Sequence, residues 1–193
     1  LPDQSRVHLK ENASVTFNEN FGKTERRVKL TGDAFFRVSK DKTKKFIVET
    51  DEMNITVLGT SFMVFSEKNT KKVYVNSGKV AVANGNEKVE INPGFVASKE
   101  KTKTKIETGK TPDTKFLEWR KQNLSFKNCK LKEAALTIED IYNLKLNIDP
   151  KVDENLELTA DFKLREANEI IEAIALSFGL NFEKISENEY KIY

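Results

Sequence analysis

The hydrophobic residues of this chain change their period near residue 110, and that change limits the folds open to it. Before it, apolar side chains recur at every second position: Val7 and Leu9, then Ala13-Val15-Phe17, Val28-Leu30, Ala34-Phe36-Val38, Phe62-Val64, Val73-Val75, Val80-Val82 and Val89-Ile91. Such alternation puts one face of a strand against a core. Turn-forming clusters separate the runs at intervals of about ten residues, as in an all-β sandwich, barrel or solenoid. Asn84-Gly85 predicts a hairpin, because both residues tolerate the positive φ of a tight turn. Asn92-Pro93-Gly94 stops the next strand by removing a ladder donor. The polar stretches Ser39 to Lys45 and Glu67 to Lys72 read as exposed loops.

From Lys99 to Lys105 lysine stands at every second place, and Gly109, Lys110, Thr111 and Pro112 follow. This stretch reads as a linker and domain boundary, its lysines a solvated edge that discourages sheet aggregation rather than a site for an anionic polymer. Beyond it, Leu131, Ala134, Ala135, Ile138, Ile141 and Tyr142 predict a helix over about 131–143. A second stripe, Ala167, Ile170, Ile171, Ile174, Ala175 and Phe178, ends at Gly179, where a helix favours a left-handed residue. Strand-like runs at Leu124 to Phe126, Leu144 to Ile148, Leu156 to Phe162, Leu180 to Ile185 and Tyr190 to Tyr193 flank the helices. The order β-α-β-β-α-β-β predicts two helices on one sheet, with an internal pseudo-repeat. The expected fold is therefore mainly β with α+β: an all-β domain over 1–110, solenoid-like or sandwich-like, and a two-helix module with its linker over 111–193.

Composition argues against several kinds of chemistry. Lys plus Arg number 33 and Asp plus Glu 30, a net +3 that leaves no basic excess to neutralise a nucleic-acid backbone. One cysteine, Cys129, permits no internal disulfide and reads as a small buried residue. One histidine, His8, lies in an alternating strand with no nucleophile motif in the chain, and reads as a surface residue. Zinc and calcium sites need ligand clusters that the sequence lacks, so no cofactor and no catalytic or metal-binding residue is assigned. Asp33 and Asp161 suit turn or edge roles, and Gly32, Gly59 and Gly78 suit bends in strands. Trp119, the single tryptophan, reads as packing between the two domains. No run approaches the roughly 18 apolar residues of a membrane span. The start at Leu1-Pro2-Asp3, without an initiator Met, reads as a fragment whose anchor lies upstream.

Five blocks, in order, resemble the FecR domain. They are Leu1 to Val7, Arg26 to Val38, Phe46 to Thr50, Val57-Leu58-Gly59-Thr60-Ser61-Phe62-Met63-Val64, and Val75-Asn76-Ser77-Gly78-Lys79-Val80. From about Asn123 onward, Leu124-Ser125-Phe126-Lys127-Asn128, Leu131, Tyr142 and Phe162 are similar to the C-terminal domain that accompanies FecR domains in Bacteroidetes-type proteins. That domain in turn resembles the short secretin and TonB N-terminal (STN) fold.

The resemblance implies a non-enzymatic anti-sigma factor. Its periplasmic part would receive a signal from the signalling domain of a TonB-dependent outer-membrane transporter. A span upstream of Leu1 would anchor it in the inner membrane, and a cytoplasmic segment would hold an extracytoplasmic-function sigma factor. Partner-binding residues are expected on strands able to sit at a sheet edge: Leu156, Leu158 and Ala160 in one run, Leu180, Phe182, Tyr190, Ile192 and Tyr193 in the last two. A carbohydrate-binding module or an oligomeric envelope scaffold is the alternative.

Overall fold

Alternating residues of the N-terminal half form strands whose inward side chains share one core. The computed structural model describes residues 1–111, 118–153 and 155–193 and divides the chain into two units, Leu1–Leu117 and Glu118–Tyr193. In the first unit lie β1 (Arg6–Leu9), β2 (Ser14–Thr16), β3 (Arg26–Thr31), β4 (Ala34–Arg37), β5 (Phe46–Glu49), β6 (Asn54–Val57), β7 (Ser61–Glu67), β8 (Thr70–Ser77), β9 (Val80–Asn84), β10 (Glu87–Ile91), β11 (Phe95–Glu100) and β12 (Ile106–Lys110).

Two six-stranded sheets result, ordered β1-β4-β7-β8-β11-β12 and β2-β3-β5-β6-β9-β10. Val28, Phe46 and Ile55 from one sheet and Phe36, Phe62 and Val73 from the other belong to the same core cluster, which makes the unit a sandwich. Within each sheet the strands follow chain order, so the sandwich is wound from one edge to the other in the manner of a solenoid. Both expected descriptions therefore apply, one to the cross-section and one to the path. Phe36 stacks on Phe62 at 5.1 Å and meets Phe46 edge-on at 6.2 Å.

Three local expectations are corrected. The predicted loop at Glu67 to Lys72 belongs mostly to strands, because β7 and β8 pair up to Glu67 and Thr70. In the β9–β10 hairpin Asn84 is the last paired residue, opposite Glu87, so the turn is Gly85-Asn86. The predicted linker from Lys99 to Lys110 is a hairpin, with Lys99 opposite Ile106 and Phe95 opposite Lys110. Lys99 is buried, and its ammonium donates to the carbonyls of Glu100 and Lys103. A lysine can lay its aliphatic stem in a core when its charged end finds carbonyl oxygens at a turn. Pro112, the last residue of the expected linker, lies outside the described residues.

The second unit contains α1 (Trp119–Gln122), β13 (Asn123–Lys130), α2 (Leu131–Tyr142), β14 (Lys145–Ile148), β15 (Glu157–Lys163), α3 (Ala167–Ser177), β16 (Phe182–Ser186) and β17 (Glu189–Ile192). After α1 this is the predicted order. Asn143, left-handed at φ 54°, ends α2, and Glu166 and Glu169 close a capping box at the start of α3. Leu131, Ala134, Ile138, Ile170, Ile171 and Ile174 fill the core from the helices.

The single sheet expected here is in fact two, β13-β15 and β14-β17-β16. The pseudo-repeat accounts for the split. In β13-α2-β14 and β15-α3-β16 the two leading strands pair with each other, while the two trailing strands flank β17.

Candidate interaction surface

The residue blocks that carry the resemblance in the first unit are built into its fold. At Gly59, φ is +154°, and an added Cβ would lie 2.6 Å from Lys40 Cα. Thr60 Oγ1 donates to the Lys79 carbonyl at 3.0 Å, Ser61 Oγ and Ser77 Oγ share a hydrogen bond of 2.6 Å, and Asn76 Nδ2 donates to Ser61 Oγ at 2.9 Å. Arg26, only 2 % exposed, donates to Asp3 Oδ2 at 2.9 Å, to the Ser39 carbonyl at 2.8 Å and to the Lys44 carbonyl at 2.8 Å, and its guanidinium lies over the Phe46 ring. Partial burial alone would raise the Asp3 carboxyl, but hydrogen bonds from Ser5 and Arg26 hold it below the ordinary carboxylate range.

Asp33 has a structural use as well, accepting the Ser66 N–H at 2.8 Å. His8, expected at the surface, is half-buried with its ring edge-on to Phe35 at 6.0 Å. Among the described residues no group of three or more His, Cys, Asp or Glu could hold a metal ion.

In the second unit the structure separates the expected partner-binding residues. The terminal strand β17 is central, paired with β14 on one side and β16 on the other. Tyr190 and Ile192 are buried core residues, so the expectation of a terminal edge is corrected. The chain's last strand fills the middle of the sheet because it joins the trailing strands of both half-repeats. Removing Tyr190 to Tyr193 would therefore test folding rather than docking. Leu158 is also buried; Leu156, Ala160, Leu180 and Phe182 are partly buried against the same core, and Tyr193 is exposed. Trp119, expected between the domains, is half-buried at the start of α1.

The sheet edges of this unit differ in how they are finished. On β14 the Leu146 N–H donates to Glu139 Oε1 at 2.8 Å, so α2 caps that edge. On β16 the register shifts between Lys184 and Ser186, and a shift between Phe126 and Cys129 kinks β13. Such irregularities blunt an edge against further pairing.

On its other side β15 pairs with no strand among the described residues. Leu164 N–H donates to the Gln122 carbonyl and the Leu156 carbonyl accepts from Leu131 N–H, so even-numbered residues of this strand address β13. In an antiparallel ladder the odd-numbered residues then turn their N–H and C=O groups to the open side.

A groove of about 420 Å³ lies between this strand and α3, lined by Glu157, Leu158, Thr159, Ala160 and Phe162 on one wall and by Ala173, Ile174, Ser177 and Phe178 on the other. A second hollow of about 470 Å³ shares Phe162 and Ala173 and adds Asp161, Lys163, Arg165 and Glu169. Leu158 and Ala160 are thus brought together in one surface, while Leu180, Phe182 and Tyr193 lie elsewhere, on or beside β16 and β17. Phe162 and Phe178 were missed as surface residues. In the sequence they carry only the signal of a strand and of a helical stripe.

Fold and surface together define a class, a progressively wound β-sandwich joined to a small α+β unit with an open sheet edge. Comparison with known proteins narrows the class. Residues 1–81 match the family described as FecR protein, and residues 123–192 match the family described as FecR, C-terminal. The chain belongs to the FecR family of anti-sigma factors.

It is similar over its whole length to two crystal structures, at 1.65 and 2.50 Å resolution, of a protein from Parabacteroides distasonis ATCC 8503 that bears the provisional name of anti-sigma factor. Each is 27 % identical with a TM-score of 0.59, and the match covers 92 % and 91 % of those chains. No curated protein matches the chain. The family assigns a regulatory sensor role. Among the described residues no helix is long and apolar enough to cross a membrane.

Proposed function

We propose that this chain is the periplasmic sensor region of a single-span inner-membrane anti-sigma factor, which receives its signal from the signalling domain of a TonB-dependent outer-membrane transporter. Reception takes place on the α+β unit. Signal receipt changes the stability or protease accessibility of the regulator, and the cytoplasmic segment then releases or activates an extracytoplasmic-function sigma factor. No step requires covalent chemistry.

The open edge of β15 beside its half-apolar groove carries this reading. Unpaired backbone groups give a partner strand its affinity, and neighbouring side-chain pockets give it selectivity. In this role the groove residues Leu158, Ala160 and Phe162 do what Leu156, Leu158 and Ala160 were expected to do from sequence.

Calorimetric titration of the chain with the purified signalling domain of the transporter encoded beside it tests the proposal. Saturable one-to-one binding near micromolar affinity, about −8 kcal/mol, supports the reading. Absence of heat from a folded pair at tens of micromolar excludes that transporter as the source of the signal.

A further inference from the structure

The open side of β15 is complementary to itself. Glu157, Thr159, Asp161 and Lys163 are exposed along it, alternating with the buried or half-buried Leu158, Ala160 and Phe162. Laying a second copy of the strand antiparallel about Ala160 puts Glu157 opposite Lys163 of the second copy, and symmetry repeats the pair. Thr159 then meets Asp161, Leu158 meets Phe162, and Ala160, a small residue, meets itself on the axis. Among the described residues Glu157, Asp161 and Lys163 have no ion pair within the chain, so their charges are available.

Backbone parity selects the same register. The odd-numbered residues face the open side, and an axis at Ala160 sets odd opposite odd, as the hydrogen-bonded pairs of an antiparallel ladder require. An axis between two residues would set odd opposite even. Moving the axis to Thr159 opposes Glu157 to Asp161, and moving it to Asp161 opposes that carboxylate to itself. Like charges directly opposite destabilise a strand pair. Of these registers only the one about Ala160 satisfies backbone and charge together.

We infer that the open edge of β15 pairs with the same edge of a second copy of this chain, antiparallel about a two-fold axis at Ala160. The two-stranded sheets of the two copies then become one four-stranded sheet, an isologous contact. The inference goes beyond the receiver role and does not depend on which transporter supplies the signal. A partner strand that used this edge would have to displace the second copy.

Sedimentation velocity on the full chain, from micromolar to millimolar concentration, tests the pairing. A monomer–dimer equilibrium is expected. Glu157→Lys alone and Lys163→Glu alone each bring like charges together at two symmetric places, and each weakens the dimer about tenfold or more. Mixing the two variants sets opposite charges across both places again and restores a dimer composed of one of each, and the double variant E157K/K163E dimerises by itself. Asp161→Pro removes an outward N–H without touching the ladder to β13 and abolishes the dimer. Unchanged Trp119 emission in each variant shows that the unit is still folded. A chain that stays monomeric throughout the range overturns the inference, as does a dimer that ignores both charge reversals.

Discussion

The sandwich and the open strand edge of the α+β unit use their polar residues in opposite ways. In the sandwich, Arg26, Asp3, Ser61, Thr60 and Ser77 are joined to one another or to carbonyls, and they are the residues by which the family is recognised in the sequence. In the α+β unit, Glu157, Asp161 and Lys163 stand exposed on an unpaired strand edge, and the sequence there carries few identities beyond hydrophobic spacing. Recognisable blocks therefore mark where the backbone is hardest to build. An interaction surface, which needs only an available edge and a suitable groove, leaves a weaker trace.

The sharpest way to break this comparison is to remove one buried charge from each unit. Arg26 and Asp3 form a pair in the sandwich with side chains 2 % and 14 % exposed, and Arg120 and Asp140 form one in the α+β unit at 4 % and 9 %. Removing one partner of a buried pair takes away the opposite charge against which the other was buried and costs about 3–5 kcal/mol. Arg26→Ala is expected to destabilise the sandwich by that amount, and Asp140→Ala the second unit. Hydrogen exchange resolved along the chain separates the two, with Trp119 emission as a second reporter for the α+β unit. If each variant loosens both units equally, the division into separately stabilised parts fails.

A smaller contrast comes from two glycines. Gly59 combines a positive φ with an added Cβ that would collide with Lys40 backbone, whereas Gly179, at φ +67°, faces nothing within 4 Å. Gly179→Ala is therefore expected to cost only the left-handed penalty, about 1–2 kcal/mol. Gly59→Ala is expected to cost more, because the neighbouring strand connection must also move. Chemical denaturation of the two variants gives the order, and equal losses would remove the close approach as the reason for a glycine at position 59.

How far the sequence could be read follows from what each signal reports. Period two placed β1 to β4 and β7 to β10, and the helical stripes placed α2 and α3 to within a residue or two at each end, because burial on one face writes itself into spacing. Lys99 to Lys110 was misread because charge at alternate positions resembles solvent exposure, and the carbonyls that receive the Lys99 ammonium come into place only when the hairpin forms. The terminal strand was misread for a related reason. Position in the chain does not determine position in a sheet, and β17 becomes central only because β14 and β16 both need it. The open edge of β15 depends on the other edges being capped or kinked, which involves Glu139 and two register shifts that no local pattern announces.

The mildest expected effect concerns pH and again sets one unit against the other. Asp3 is partly buried, which opposes its charge, yet the hydrogen bonds from Ser5 and Arg26 lower its pKa in the folded state. A carboxyl with a depressed folded pKa binds fewer protons when folded than when unfolded, so it contributes stability above its unfolded value, near pH 4, and loses that contribution as pH falls through the folded value. Stability of the sandwich should therefore decline more steeply below about pH 4 than that of Asp3→Asn, which has no proton to take up at that position. Denaturant unfolding at a series of pH values, followed by hydrogen exchange in the strands flanking Arg26, measures the difference in slope. Parallel slopes in the two proteins would mean that Asp3 binds its proton equally in both states and that the Arg26 pair is not what fixes the Leu1 to Ser5 segment to the sandwich.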